Sequence, residues 1–168
     1  MPKLYHRYQP TQTSCGQACA AMVTGRAFPE IRRAFGHMHA TYKSEIIKVL
    51  EQFGVKVGPP VNYKGEALPP LALIRLSYIK RRGSGVKKVG HYVIYFNGLY
   101  YNPCRNSASP ISPNLPPRTL IDSYLALTTP EPLESALANP TALPEPVSGD
   151  APINTVTAIP PIIRKAAG

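Results

Sequence analysis

The chain contains no tryptophan, and its 168 residues include only nine acidic residues and three cysteines. Because three is an odd number, at least one thiol is free, and so low a count argues against a secreted domain held together by disulfides. No run approaches the roughly 20 apolar residues that a membrane span needs. The first residues also lack the apolar core of a signal peptide. These absences favour a cytoplasmic protein without a membrane span.

The scarcity of acidic residues leaves a formal net charge of +10. Residues 1–125 carry seventeen basic and five acidic side chains, so the whole of this excess lies there. A basic surface favours an acidic protein, a nucleic acid or an anionic lipid as partner, and simple solubility is the alternative explanation.

The densest basic cluster lies between two apolar runs and has Gly83-Ser84-Gly85 at its centre. Small residues flanked by apolar runs predict an exposed hairpin loop. The candidate contacts to an acidic protein or a nucleic acid are Lys80, Arg81, Arg82, Lys87 and Lys88.

Proline is concentrated near the end of the chain, where eight of the twenty prolines fall within the last 43 residues. This stretch shows no apolar periodicity, so residues 128–168 are predicted to form an extended, weakly ordered tail. Residues 1–127 have the length and apolar content of one folded domain.

Signals for helices come first along the chain. Ser14 is a good N-cap, with Gly25 as the stop of the helix that follows it, and Thr41 or Ser44 can cap a later helix. The predicted helices run from Cys15 to about Thr24, over Pro29 to Phe35 as a shorter turn, and from about Ser44 to Phe53.

Signals for strands follow. Asn97-Gly98 lies between two apolar-aromatic runs, and this is the strongest short-range indication of a hairpin. Leu120 to Leu127 predicts a closing helix or strand. The other predicted strands are Val55 to Val57, Leu71 to Ile79, His91 to Phe96 and Leu99 to Asn102. Helices followed by an antiparallel sheet define an α+β fold.

A candidate nucleophile stands at the start of the first predicted helix. An ordinary Cys thiol has a pKa of about 8.5, and both a helix N-terminus and a nearby imidazolium favour its thiolate. Cys15 stands at a predicted helix N-terminus, and His91 could supply the imidazolium. Asn102, across the predicted hairpin, could hold His91 in one tautomer.

Attack on a carbonyl creates an oxyanion that needs hydrogen-bond donors. The backbone N–H of Cys15 is one natural donor, and a side-chain amide just upstream is the other. Both Gln9 and Gln12 could supply that amide, and the residues alone leave this choice open.

Metal binding fits the chain poorly. There is no Cys-x2-Cys pair, and Cys15 and Cys19, together with His37, His39 and Cys104, do not match zinc spacing. We therefore expect no metal and no cofactor. Cys19 is expected to pack inside its helix, and Cys104 to be a thiol near the site.

Three short motifs together resemble a known family. Gln9 is followed after five residues by Cys15-Gly16, then by Ala18 and Met22; Gly90-His91-Tyr92-Val93-Ile94 opens the hairpin and Tyr101-Asn102-Pro103 closes it. This order resembles the papain-like cysteine peptidases, most closely the bacterial peptidases that trim double-glycine leaders from bacteriocins, and their stand-alone relatives. The resemblance covers about residues 5–127.

The resemblance implies a papain-like α+β fold, with N-terminal helices packed on an antiparallel sheet. It also implies that Cys15 is the nucleophile, His91 the general base and acid, Asn102 the orienting residue and Gln9 the oxyanion donor. Leader peptidases usually have Asp where Asn102 stands, whereas papain itself has Asn. They also commonly have a small residue or Pro at the position of Gln17.

Two functional hypotheses follow. The first is a thiol hydrolase that cleaves a peptide or isopeptide bond, with acyl transfer or deamidation as variants of the same chemistry. The second is a non-catalytic papain-like adaptor that binds an acidic partner through the basic hairpin. The small size and the lack of an export signal or a transporter domain suggest a stand-alone protein, such as a bacterial or phage effector or virion protein that other machinery delivers.

Overall fold

The computed structural model describes residues 2–105, 107 and 109–135, apart from the side chains of residues 79–82 and 135. The helices in this part of the chain are α1 (Cys15–Thr24), α2 (Phe28–Phe35) and α3 (Lys43–Gln52). The strands are β1 (Lys3–Leu4), β2 (Lys56–Val57), β3 (Val61–Asn62), β4 (Leu71–Arg82), β5 (Gly85–Phe96), β6 (Leu99–Tyr101), β7 (Ile111–Ser112), β8 (Leu120–Thr128) and β9 (Glu134–Ser135). The predicted α+β class is confirmed.

Helix α1 begins and ends where the sequence predicts. Small side chains let almost the whole helix be buried, and Gly25 ends it in the left-handed conformation with φ +66°. The predicted cap is wrong in one respect. Ser14 occupies the N-cap position, but its side chain makes no cap bond to the helix. Instead its hydroxyl bonds back to the N–H and C=O of Thr11.

Helices α2 and α3 are also confirmed, but the cap predicted for α3 is wrong. Neither Thr41 nor Ser44 caps the helix, because the N-cap residue is Tyr42. The carboxylate of Glu45 accepts a hydrogen bond from the backbone N–H of Tyr42 at 2.7 Å. A side chain in the first turn of α3 therefore stabilises the N-terminus of that helix.

The large sheet is antiparallel throughout, with strand order β2-β8-β4-β5-β6-β7 and β3 paired to β8. Residues Leu120–Thr128 are thus a strand, which settles the choice between helix and strand. Asn97 and Gly98 both have positive φ, as their two-residue turn requires. The basic segment forms the far end of the β4–β5 hairpin and turns at Gly83-Ser84, so it is a β-ribbon rather than a loop.

The two faces of the sheet pack differently. One face buries a cluster shared with the helices, which includes Ile46 of α3, Tyr92 of β5 and Tyr101 of β6. The opposite face buries a smaller cluster that includes Ile74 and Val93. Side chains alternate between faces along a strand, so β5 sends Tyr92 to the helices and its neighbour Val93 to the other face.

The described chain continues past the predicted domain boundary at residue 127. Thr128 ends β8, and β9 pairs in parallel with β1 near the N-terminus. The rest of the predicted tail, 136–168, lies outside the described residues. Among the helices that are described, none is long and apolar enough to cross a membrane.

Candidate active site

Cys15 is the first residue of α1 and lies beside β5. Its sulfur is within hydrogen-bond reach of the backbone N–H groups of Tyr92, of Gly16 and of Cys15 itself. Strand β6 pairs only with Ile94–Phe96 of β5, so the Tyr92 amide is left for the thiol. The thiol therefore lies against the strand residue that directly follows His91.

Gly16 allows this close approach of α1 to the neighbouring chain. A Cβ at position 16 would collide with the Thr41 hydroxyl and would come within 2.8 Å of Cδ1 of Ile46. Glycine after the cysteine is thus required by packing against α3 and the residues before it. The Cys-Gly pair of the motif has a physical reason at both positions.

The surroundings of the Cys15 thiol favour its neutral form, contrary to the thiolate that its position at a helix N-terminus predicts. Burial raises its pKa, and this effect outweighs the opposing hydrogen bonds from Tyr92, Gly16 and its own N–H and the positive charge of Arg75. Burial likewise lowers the pKa of His91, and the hydrogen bond to Asn102 opposes that shift. Both shifts favour a neutral thiol and a neutral imidazole at rest.

His91 and Asn102 are joined directly, as the sequence predicts. Nε2 of His91 lies 2.9 Å from Oδ1 of Asn102, and both residues are buried. The backbone N–H of Cys104 donates to the same Oδ1 at 3.0 Å, which identifies that atom as the amide oxygen. Nε2 must then carry the proton, and Nδ1 of His91 is left with the lone pair that a base needs.

Asn102 is held from several sides. Its backbone N–H donates to the carbonyl of Pro110 at 2.7 Å. Its own carbonyl accepts a hydrogen bond from Nε2 of His6 at 2.6 Å. Together with the Cys104 amide, these contacts fix the side-chain oxygen that orients His91. Tyr101 and Pro103 on either side are also buried.

Burial separates the two candidate oxyanion donors. Gln9 is 8% exposed, and its N–H bonds to the carbonyl of Pro103 at 2.8 Å, next to Asn102. The side-chain oxygen of Gln9 is buried without a hydrogen-bond partner among the described residues. Gln12 is exposed. Of the two candidates, only Gln9 is buried, and its backbone is bonded to the residue after Asn102.

Two site neighbours were missed by sequence reasoning. The Tyr78 ring lies 5.9 Å from the His91 ring, and burial, followed by the charges of Cys104 and Cys15, raises the pKa of its phenol strongly. The guanidinium of Arg75 bonds to the Tyr92 hydroxyl at 3.1 Å. Both residues lie on β4, opposite β5, so only the register between these two strands could have indicated them.

The remaining cysteines lie as their sequence positions suggest. Cys19 is completely buried in α1, which confirms its packing role. Cys104 is partly buried and follows Asn102 by two residues. All three cysteines are free thiols.

The comparisons with known proteins add no relative. A scan against models of protein families finds no match for this chain. A search of curated proteins finds no sequence with significant similarity to it.

Proposed function

We propose that this chain is a cysteine peptidase with the papain-like fold. The observation that carries the proposal is the hydrogen bond from Nε2 of His91 to Oδ1 of Asn102, with that oxygen fixed by the Cys104 amide. It gives His91 the tautomer that a general base needs. The Cys15 thiol at the start of α1, beside the next residue of the same strand, supports the nucleophile role.

The proposed reaction begins from the neutral pair. Nδ1 of His91 takes the thiol proton of Cys15 as the sulfur attacks the carbonyl carbon of the substrate. The N–H of Cys15 and the side chain of Gln9 donate to the oxyanion of the tetrahedral intermediate. His91 then gives its proton to the departing amine, and a thioester remains on Cys15. Water hydrolyses that thioester, with His91 again acting as base.

Acyl transfer and deamidation use the same first step and differ only in the group that attacks or leaves. The alternative from another class is a non-catalytic adaptor that binds an acidic partner. It is favoured by the exposure of Lys87 and Lys88 on the β4–β5 ribbon. These readings differ in whether Cys15 forms an acyl intermediate that depends on His91.

The test is hydrolysis of p-nitrophenyl acetate, because this activated ester needs no side-chain recognition. We expect the wild type to release a burst of nitrophenol and to carry an acetyl group on Cys15, detected by peptide mass mapping. His91→Ala should slow acylation by about a hundredfold, since it removes a general base.

Iodoacetamide labelling provides the control. Labelling of Cys15 should slow in His91→Ala, whereas labelling of Cys104 should keep its rate. If Cys15 labels no faster than Cys104 and no burst occurs, the adaptor is the better description.

A further inference from the structure

The β4–β5 hairpin extends beyond the rest of the sheet. Strand β8 pairs with β4 only as far as Ser77, and β6 pairs with β5 only from Ile94 onward. Beyond these points the hairpin is a two-stranded ribbon. Among the described residues, no strand pairs with the outer edge of β5 over residues 85–91. Residues 83–88 and Gly90 are exposed.

The direction of the backbone groups along β5 follows from its contacts. In an antiparallel strand, successive residues direct their N–H and C=O groups to opposite sides. The N–H of Asn97, just past β5, donates to the carbonyl of Pro70 on the β4 side at 2.9 Å. The backbone N–H and C=O groups of odd-numbered residues in β5 therefore face β4, and those of even-numbered residues face outward. The bond from Tyr92 N–H to the Cys15 sulfur agrees with this assignment.

Val86, Lys88 and Gly90 thus direct their backbone N–H and C=O groups to the open edge. The next residue that directs its backbone groups outward is Tyr92, and its N–H already bonds to the Cys15 sulfur. The row of unpaired backbone groups runs directly into the candidate active site. Such a row is a template for an added strand, and only a polypeptide can supply the matching groups.

The charge beside this edge is positive. Lys87 and Lys88 are exposed, and the side chain of Lys88 reaches Asp122 at 3.1 Å. The guanidinium of Arg75 covers Gly90, where a Cβ would lie 3.0 Å from its nitrogen. In the described part of the chain Arg75 bonds to no carboxylate. Asp122 is therefore the only acid recorded against these three cations among the described residues.

We propose that the open edge of β5 binds an acidic, extended segment of the polypeptide substrate as an added strand and leads it to Cys15. This inference rests on the proposed peptidase function. The edge from Val86 to Gly90 spans about five residues, or roughly 17 Å. Acidic side chains of the substrate would lie within that distance of the cleaved bond, next to Lys87, Lys88 and Arg75.

Binding is measured on the full chain with Cys15→Ala, so that no catalysis is needed. The probe is a fluorescein-labelled 12-residue peptide of alternating Glu and Thr. The comparison probes are a 12-residue peptide of alternating Lys and Thr and a 12-nucleotide oligothymidine, each with the same label. We expect the Glu–Thr peptide to bind with a salt-dependent affinity and to slow amide hydrogen exchange at Val86, Lys88 and Gly90.

Two variants separate the backbone contribution from charge. Val86→Pro removes an N–H that points outward, so it leaves the pairing with β4 intact, and the affinity should fall about fivefold. Val86→Thr keeps the N–H and is the matched control with unchanged affinity. Lys87→Glu should weaken binding by on the order of tenfold.

The proposal is overturned if the Lys–Thr peptide binds as well as the Glu–Thr peptide, or if Val86→Pro and Val86→Thr bind alike. It is also overturned if oligothymidine alone binds, without exchange protection at the edge, because the partner would then be a nucleic acid. If the peptide binds at the edge but the wild-type protein fails the acylation test at Cys15, the peptidase function is refuted and strand addition is upheld.

Discussion

The chemistry of the site depends on which atom of His91 carries the proton. Nε2 faces an oxygen that also accepts the Cys104 N–H, so Nε2 is the protonated nitrogen. Asn102 is uncharged, and it can orient the imidazole without stabilising a positive charge as a carboxylate would. Burial therefore holds the pKa of His91 below its ordinary value, although the hydrogen bond to Asn102 opposes that shift.

Replacing Asn102 by Asp tests this account through the pH dependence of acylation. In the wild type the rate should rise as His91 loses its proton, with a midpoint below the ordinary 6.5 because burial lowers that pKa. In Asn102→Asp a carboxylate next to Nε2 stabilises the imidazolium, so the midpoint should move to higher pH. The measurement is the burst rate with p-nitrophenyl acetate between pH 4 and 9.

Asn102→Ala is the matched control. It removes the hydrogen bond that opposes the effect of burial, so the midpoint should move to lower pH, opposite to the Asp variant. Its plateau rate should fall by on the order of a hundredfold, because the imidazole is no longer oriented. A shift in the same direction for both variants would contradict the role given to Asn102.

Helix α1 brings the thiol to the sheet because its first turn packs without a side chain at position 16. The hydroxyl of Thr41 and the end of Ile46 occupy the space where a Cβ would be. The Thr41 hydroxyl is buried and has no hydrogen-bond partner in the described residues. A buried hydroxyl without a partner has an energetic cost.

Gly16→Ala should destabilise the protein by about 1–3 kcal/mol, since the added methyl group forces α1 away from Thr41 and Ile46. The loss is measured as a lower free energy of unfolding in urea. It should be accompanied by slower acylation of Cys15, because the helix start moves relative to His91.

Thr41→Ala serves as the control, because it removes an unpaired buried hydroxyl and should change stability little. The double variant should recover part of the loss, with the contact to Ile46 remaining. If Gly16→Ala is as stable as the wild type, packing does not explain the glycine.

The two ends of the described chain pair with each other, and the N-terminal end leads to the site. Strand β9 pairs with β1, and the N–H of Glu134 donates to the carbonyl of Pro2 at 2.8 Å. The chain then continues from β1 to His6 and Gln9, which bond to the carbonyls of Asn102 and Pro103. The pairing of β1 with β9 therefore anchors the segment that holds the orienting residue and the proposed oxyanion donor.

Two truncated chains test this anchoring. A chain that ends after Ser135 should keep the acylation rate of Cys15. A chain that ends after Thr128 lacks β9 and Leu133, which packs against the core. It should lose about 2 kcal/mol of stability and acylate more slowly.

Equal acylation and stability of the two truncated chains would show that the anchor is unnecessary. If the chain that ends after Ser135 loses both acylation and stability, the residues beyond 135 are needed instead.

Local features of the sequence predicted much of the fold. Asn97-Gly98 predicted its hairpin because both residues tolerate positive φ, and Gly25 predicted the end of α1 for the same reason. The caps were less predictable: Ser14 takes the right position but bonds to Thr11. Glu45 bonds to the backbone amide of Tyr42, which caps α3 in place of Thr41. Several short polar side chains can reach any one helix end, and only packing selects among them.

The order of Gln9, Cys15, His91 and Asn102 along the chain, and the elements that carry them, could be read from the sequence itself, because helix starts and tight turns depend on neighbouring residues. The burial of Gln9 and exposure of Gln12, the proton on Nε2 and the placement of Tyr78 and Arg75 beside the site were decided by the tertiary structure. These depend on contacts such as that of His6 with Asn102, which are 96 residues apart. No local preference encodes such contacts, because burial and strand register arise only when the whole chain packs.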